Sequence, residues 1–277
     1  MSDRTAGAAA AVEPPLPWLF RVFSTVGSSK NLINGFFEWF GELGVFLWRV
    51  AWAAVTPPFE FRELFRQLDE IGSKSLPLVA LAGGAIGVVL SLETRYSLTR
   101  FGAKSLLPTA IVFSVIHEIG PIITGLVVSG RVGAGIGAEL ASMKVTEQID
   151  AIEATAVNPY KLLAATRVLA CTLMLPFLTL AADLCGLVMG WVALTLVEPI
   201  SLHQFINNGF RGAGFNDLLP PTFKTAVIGL IASFQGMRTR GGAEGVGRAA
   251  TSSVVLSSLF VILADVVLVK IIIIFFP

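Results

Sequence analysis

Two adjacent ionisable residues, His117 and Glu118, lie inside a long apolar run. The two residues match the start of the zinc-peptidase motif H-E-x-x-H, but Pro121 occupies the position of its second histidine. We therefore expect neither a metal nor a cofactor. A carboxylate at hydrocarbon depth is costly, which predicts that Glu118 meets a polar headgroup or relays protons. A structural ion pair with Arg131 or Lys224 is the alternative.

Two further carboxylates, Asp183 and Asp265, also lie in apolar runs. We interpret both as structural charges that pair with neighbouring helices. A proton-coupled secondary transporter that uses them together with Glu118 is the alternative function. The sequence lacks the inverted repeat that is typical of many such transporters, which argues against it.

The sequence offers little for catalysis. It contains no G-x-x-x-x-G-K-[ST] loop, so any ATP that drives this protein binds to another subunit. His203 is the only histidine besides His117, which leaves few candidates for a nucleophile and base pair. We therefore predict that the chain is not itself an enzyme.

The composition predicts an integral membrane protein. The chain is 54% hydrophobic and only 14% charged, with a mean hydropathy of +0.77. About 20 apolar residues cross a bilayer as a helix, and long runs without strand-like alternation exclude a β-barrel. The sequence thus predicts an all-α membrane protein with five transmembrane helices, at roughly Leu76–Leu92, Leu106–Ser129, Leu162–Val197, Thr222–Met237 and Ser252–Phe276.

The N-terminal quarter differs from the rest. Residues 1–17 are predicted to be a disordered leader, and residues 18–75 to form amphipathic interfacial and elbow helices. Aromatic side chains recur there at helical spacing, while Glu38, Glu42 and Arg49 interrupt a plain spanning segment. Whether residues 31–55 span the membrane or lie in its interface stays open. Residues 76–277 form the transmembrane domain.

The distribution of basic residues favours a cytoplasmic N-terminus, because this orientation places most lysines and arginines inside. One loop argues against it, since Arg95, Arg100 and Lys104 then lie outside with only Glu93 in compensation.

Small residues recur at four-residue spacing, a pattern that lets membrane helices approach closely. Packing within the chain is the favoured interpretation, and a homodimer contact at one pair is the alternative. The pairs are Gly83 with Gly87, Gly125 with Ser129, Gly133 with Gly137, and Gly186 with Gly190.

Residues 139–153 alternate apolar and charged side chains and predict a short helix that cannot span a membrane. A solvated loop helix and a docking element for a cytoplasmic motor are both compatible with this pattern. The block from Glu118 to Pro159, with its EIGP, GR, EL, TEQI and NP elements, closely resembles the MlaE family of permeases, which serve MCE-associated ABC transporters of lipids. The resemblance covers roughly residues 60–276 and continues in GVGRAATSSVVLSSL.

The resemblance implies a homodimeric permease in the bacterial inner membrane that moves phospholipids between the inner and outer membranes. A pair of cytoplasmic ATPases would dock on residues 139–159, and a periplasmic hexamer of MCE-domain subunits would cover a lipid cavity. An accessory STAS-domain subunit is a further expected partner.

The resemblance also assigns site residues. The family's cavity glutamate falls on Glu118, beside His117, and Leu92 and Tyr96 would line the same cavity. The family often has arginine where this chain has His117. The expected ATPase-coupling residues are Glu139, Lys144, Thr146, Glu147, Gln148, Asp150 and Glu153.

Overall fold

The computed structural model of the protein describes residues 29–57, 60–211 and 227–275. Every regular element in these residues is a helix, which confirms the all-α class. The chain divides into two compact units, residues 1–46 and residues 47–277. The predicted leader, residues 1–17, lies outside the described residues.

Helix α1 covers Ser29–Val55. In the first unit it exposes Phe36, Phe37 and Phe40, whose ring centroids lie 4.5 to 5.9 Å apart along the helix. Among the described helices, α1 is not one of those that are long and apolar enough to span a membrane. Its interfacial position stays a prediction.

Four helices in the described residues are long and apolar enough to cross a membrane. They are α2 over Phe61–Arg100, α3 over Lys104–Val145, α5 over Tyr160–Thr195 and α8 over Ala243–Phe275. Helix α2 has 40 residues and is about 60 Å long at 1.5 Å per residue. The predicted elbow segment is therefore continuous with the first crossing, because no residue breaks the helix between them.

Three shorter helices complete the described part, namely α4 over Gln148–Ala154, α6 over Leu202–Gly209 and α7 over Val227–Met237. Helix α7 corresponds to the fourth predicted crossing, whose start lies outside the described residues. The 11 described residues of α7 extend about 16 Å at 1.5 Å per residue, and the full length of this crossing stays a prediction. The described residues thus confirm four crossings of the predicted five.

Glycines form the contact between α2 and α5. A Cβ atom at Gly83 would lie 2.5 Å from the carbonyl oxygen of Ala182, and one at Gly87 would lie 2.0 Å from that of Gly186. On α5, a Cβ atom at Gly190 would lie 2.4 Å from Ser91 Oγ. The two backbones therefore touch directly, and these small-residue pairs pack within the chain as predicted.

Small residues on α3 also allow this helix to pack closely against α8. A Cβ atom at Gly137 would lie 2.2 Å from Ser253 Oγ, and the hydroxyls of Ser129 and Ser258 are 2.6 Å apart. Packing within the chain thus accounts for these positions as well, and the predicted alternative of a homodimer contact finds no support at them.

Helix α3 continues through two π-helical turns, Val115–Ile119 and Ser129–Gly133. Pro121 has no N–H to donate to the carbonyl group four residues earlier, and the N–H of Gly120 bonds to the carbonyl of Val115, five residues earlier. The helix therefore accommodates Pro121 by a widened turn and remains continuous. Such turns are frequent at functional sites.

A cluster of charges joins the α2–α3 connection to the end of α5. Glu198 accepts hydrogen bonds from Lys104 Nζ at 2.7 Å and from Arg95 Nη2 at 3.0 Å. Only Glu93 was expected to balance the positive charge of this loop. Glu198 supplies a further negative charge. The hydrogen bonds from Lys104 and Arg95 hold the pKa of Glu198 below its ordinary value of 4.5.

We expect Glu198→Gln to lower the melting temperature at neutral pH by a small amount that disappears in acid. The pKa of Glu198 is lower in the folded than in the unfolded chain, so its contribution to stability is present above the unfolded pKa and is lost as the pH falls through the folded pKa. Thermal melts of both proteins in detergent, from pH 7 to below 4.5, measure the difference. A difference that is constant with pH would contradict this assignment.

Candidate functional site

The predicted cavity carboxylate lies on the first π-helical turn of α3. His117 and Glu118 are both half-buried there, and the His117 ring stacks on Phe113 with a centroid distance of 4.2 Å and an interplanar angle of 21°. Phe113 is exposed. The turn, together with Phe113 just before it, therefore presents an aromatic pair and a carboxylate on an apolar helix.

One of the two partners expected for Glu118, Arg131, makes contacts on α2. Arg131 lies on the second π-helical turn, where its guanidinium donates to Ser75 Oγ at 2.6 Å and lies 3.6 Å from the Glu70 carboxylate. Lys224 falls outside the described residues. Arg131 therefore ties α3 to α2, and the alternative pairing of Glu118 with Lys224 stays a prediction.

Asp183 packs directly against the Glu118 turn. A Cβ atom at Gly120 would lie 1.6 Å from Asp183 Oδ1, so the carboxyl group fills the space of a side chain at that position. Asp183 is 4% exposed, and in the described part of the chain neither of its oxygens has a hydrogen-bond partner. The hydroxyl of Thr124, one turn after Gly120, is buried in the same way. The pairing expected for Asp183 is thus not seen in these residues.

Asp265, the other predicted intramembrane charge, is buried in α8. The remaining predicted cavity residues, Leu92 and Tyr96, lie one turn apart on α2, and both are exposed. Arg100 lies over the Tyr96 ring at 5.6 Å from its centroid. The predicted cavity residues therefore occupy two different helices, and the exposed α2 pair needs a further surface opposite it to form an enclosed cavity.

The predicted coupling segment bends where a single helix was expected. Helix α3 ends at Val145, and Glu147 adopts a left-handed conformation with φ of 59° before α4 begins. The Thr146 hydroxyl donates to the Ser142 carbonyl at 2.8 Å, and Lys144 pairs with Asp150 at 2.6 Å. These bonds fix the bend between the two helices.

Helix α4 is anchored by Ile149, which is buried, and by Ile152, which is half-buried against the same apolar cluster. Its polar residues face outward, since Glu147, Gln148, Asp150 and Glu153 are all exposed. An anchored short helix with an exposed polar face is suited to transmit movement from a soluble partner to the spanning helices.

Glu139 differs from the other predicted coupling residues because it also faces the protein. Its carboxylate lies 2.8 Å from Arg167 Nη2, and Arg167, which is 1% exposed, also donates to the Leu163 carbonyl. Arg167 is a functional residue that the sequence pattern did not bring forward. The signal that was missed is an arginine within an apolar run, because such a residue requires a partner.

A family comparison assigns the chain to the membrane-spanning permeases of ABC transporters. Residues 64–271 match the model of the family described as Permease MlaE, so the chain belongs to the MlaE permease family. The matched region begins within α2 and ends within α8, and it contains the Glu118 turn and the coupling segment.

Curated relatives agree with this assignment. A probable ABC transporter permease protein of Rickettsia conorii is 34% identical over 251 residues, which are 89% of this chain and 96% of the relative. One from Synechocystis is 31% identical over 208 residues, 74% of this chain and 79% of the relative. The Arabidopsis thaliana chloroplast protein TRIGALACTOSYLDIACYLGLYCEROL 1 is 32% identical over 212 residues, 75% of this chain and 61% of the relative.

Proposed function

We propose that this chain is the membrane subunit of an ABC transporter that moves phospholipids between the inner and outer membranes of a bacterium. The observation that carries the proposal is the Glu118 turn, a π-helical turn of a spanning helix that holds a carboxylate and His117, whose ring stacks on Phe113 just before the turn. A carboxylate can bind the ammonium group of a lipid headgroup, and apolar helix surfaces can hold its acyl chains. The Arabidopsis relative, whose name refers to a galactolipid, supports a lipid substrate.

The lipid cavity is proposed to form between two copies of the chain. Leu92 and Tyr96 are exposed on α2, and a second copy would supply the surface that encloses them near Glu118. A periplasmic ring of MCE-domain subunits would receive the lipid, and a STAS-domain subunit would join on the cytoplasmic side. The N-terminus is proposed to be cytoplasmic.

A separate pair of ATPase subunits is proposed to drive the movement. They would bind the exposed face of α4 and the adjoining residues of the segment 139–159. The anchored side chain of Ile149 and the pair of Lys144 with Asp150 would pass their motion to α3. Membership of an ABC permease family favours this mechanism over the alternative of proton coupling.

We expect Glu118→Ala to reduce ATP-driven lipid transfer by about tenfold, because a charge-assisted hydrogen bond to the headgroup is worth about 1.5–3 kcal/mol. The measurement is transfer of labelled phospholipid by the complex reconstituted in vesicles, with copurification of the ATPase as the test of assembly.

Glu60→Ala is the matched control, since Glu60 is an exposed carboxylate directly before α2, at the opposite end of that helix from Leu92 and Tyr96. Transfer that is equal in Glu118→Ala and in the unmodified complex would refute the headgroup role. Purification without a stoichiometric ATPase in mild detergent would refute the ABC mechanism itself.

A further inference from the structure

A groove of about 830 Å³ lies outside the proposed lipid cavity, between the end of α1 and the residues that lead from α4 into α5. Its volume is within the range of about 300–1,000 Å³ that is typical of small-ligand sites. Its walls differ in character, because tryptophan side chains line one part and polar side chains line another. An amphiphilic occupant matches such a surface.

The apolar part consists mainly of Trp48 and Trp52, one turn apart on α1, which are 71% and 65% exposed. Tryptophan is enriched at the level of lipid headgroups, where its ring is partly apolar and its N–H remains hydrated. Two exposed indoles on successive turns therefore favour a position of this end of α1 at the membrane surface.

The polar part is held in place by contacts across the groove. Arg49 Nη1 donates to the Tyr160 hydroxyl at 3.1 Å, and the guanidinium carbon lies 5.5 Å from the Tyr160 ring centroid. Asn158 Oδ1 accepts a hydrogen bond from the Tyr160 N–H at 2.9 Å. Arg49 is thus oriented by Tyr160 while its side chain remains exposed.

The charged residues that line the groove indicate which kind of ligand it binds. Among the described residues that line the groove, Arg49 and Glu153 are the charged ones, one cation and one anion. An arginine guanidinium suits a phosphate, and the Glu153 carboxylate suits an ammonium group. A ligand with phosphate alone would be repelled by Glu153, and an uncharged ligand would leave both charges unused.

We propose that this groove binds a phospholipid of the surrounding bilayer whose headgroup carries both a phosphate and an ammonium group, as phosphatidylethanolamine does. The phosphate lies against Arg49, the ammonium against Glu153, and the glycerol end of the chains against Trp48 and Trp52. This inference rests on the proposed function only in placing the groove at the cytoplasmic membrane surface. The bound lipid would link α1 to the segment that meets the ATPase.

The test is native mass spectrometry of the full chain in detergent with equal amounts of phosphatidylethanolamine and phosphatidylglycerol. We expect the unmodified chain to retain phosphatidylethanolamine preferentially. Arg49→Gln should lower its retention about tenfold, which corresponds to one charge-assisted hydrogen bond, and Arg49→Lys should lower it less. Glu153→Gln should shift the preference towards phosphatidylglycerol, because the repulsive carboxylate is gone.

Arg248→Gln is the matched control, since Arg248 is an exposed arginine that pairs with Glu244 on α8. An equal loss in this control, or no loss in Arg49→Gln, would overturn the proposal. A second readout is quenching of tryptophan fluorescence by brominated phosphatidylethanolamine, which Trp48→Phe and Trp52→Phe should reduce.

The partner ATPase provides the competing occupant. If Arg49→Gln weakens ATPase copurification and leaves lipid retention unchanged, the groove is a protein contact and the lipid proposal fails. Lipid retention needs no transport, so this result is independent of the Glu118→Ala transfer assay.

Discussion

Gly87→Ala should destabilise the folded chain by about 2–3 kcal/mol, the upper part of the range of about 1–3 kcal/mol that overpacking of a filled contact costs. The added Cβ atom would lie 2.0 Å from the Gly186 carbonyl oxygen and 2.6 Å from the carbonyl carbon and Cα atom of the same residue. These are backbone atoms of α5, so no side-chain rotation relieves the overlap. Helices α2 and α5 would have to separate along their shared contact.

Two alanine variants make this prediction specific. Gly247→Ala on α8 meets no atom within 4 Å, and alanine in a helix is favoured over glycine by about 0.5–1 kcal/mol. Gly84→Ala is intermediate, because its nearest neighbour is Met189 Cγ at 3.2 Å, part of a flexible side chain. Melting temperatures in detergent should rank Gly87→Ala lowest and Gly247→Ala highest. Equal values for all three would contradict the close approach of α2 and α5.

The features of the fold that the sequence predicts are local ones. Hydropathy summed over a window of about 20 residues identifies a spanning helix without knowledge of its neighbours. Four-residue spacing similarly predicts which face of a helix allows close approach, as the contact of Gly83 and Gly87 with α5 confirms. The start of the fourth predicted crossing, Thr222–Met237, lies outside the described residues, so its length stays a prediction.

Only part of the candidate site can be predicted from the sequence, because some of its features arise within one helix and others from contacts between helices. Glu118 is conspicuous in the sequence because a carboxylate is rare in an apolar run, and the missing N–H of Pro121 is visible there as well. The approach of Asp183 to Gly120 depends on the relative height of α3 and α5 in the bundle. The ion pairs of Glu198 with Arg95 and Lys104 likewise depend on how the end of α5 packs against α2 and the α2–α3 connection. No pattern within one helix encodes such contacts.

We expect Glu139→Gln to destabilise the folded chain by about 3 kcal/mol, and Arg167→Met to do so by less. The two members of the ion pair differ in exposure, because Arg167 is 1% exposed and the Glu139 side chain is 45% exposed. Glu139→Gln leaves a buried guanidinium without its carboxylate, which is the costly way to break a buried pair. Arg167→Met leaves a carboxylate that water already reaches, and methionine fills most of the vacated volume.

The double variant Glu139→Gln with Arg167→Met separates this explanation from a simple loss of contacts. If the cost arises from an uncompensated buried charge, removing that charge restores most of the stability, so the double variant melts above Glu139→Gln. If the two effects add, the charge explanation is wrong. The same double variant tests Glu139 as a coupling residue. Once stability is restored, a persistent loss of ATP-driven lipid transfer would indicate that Glu139 also contacts the ATPase, whereas normal transfer would confine it to holding α3 against α5.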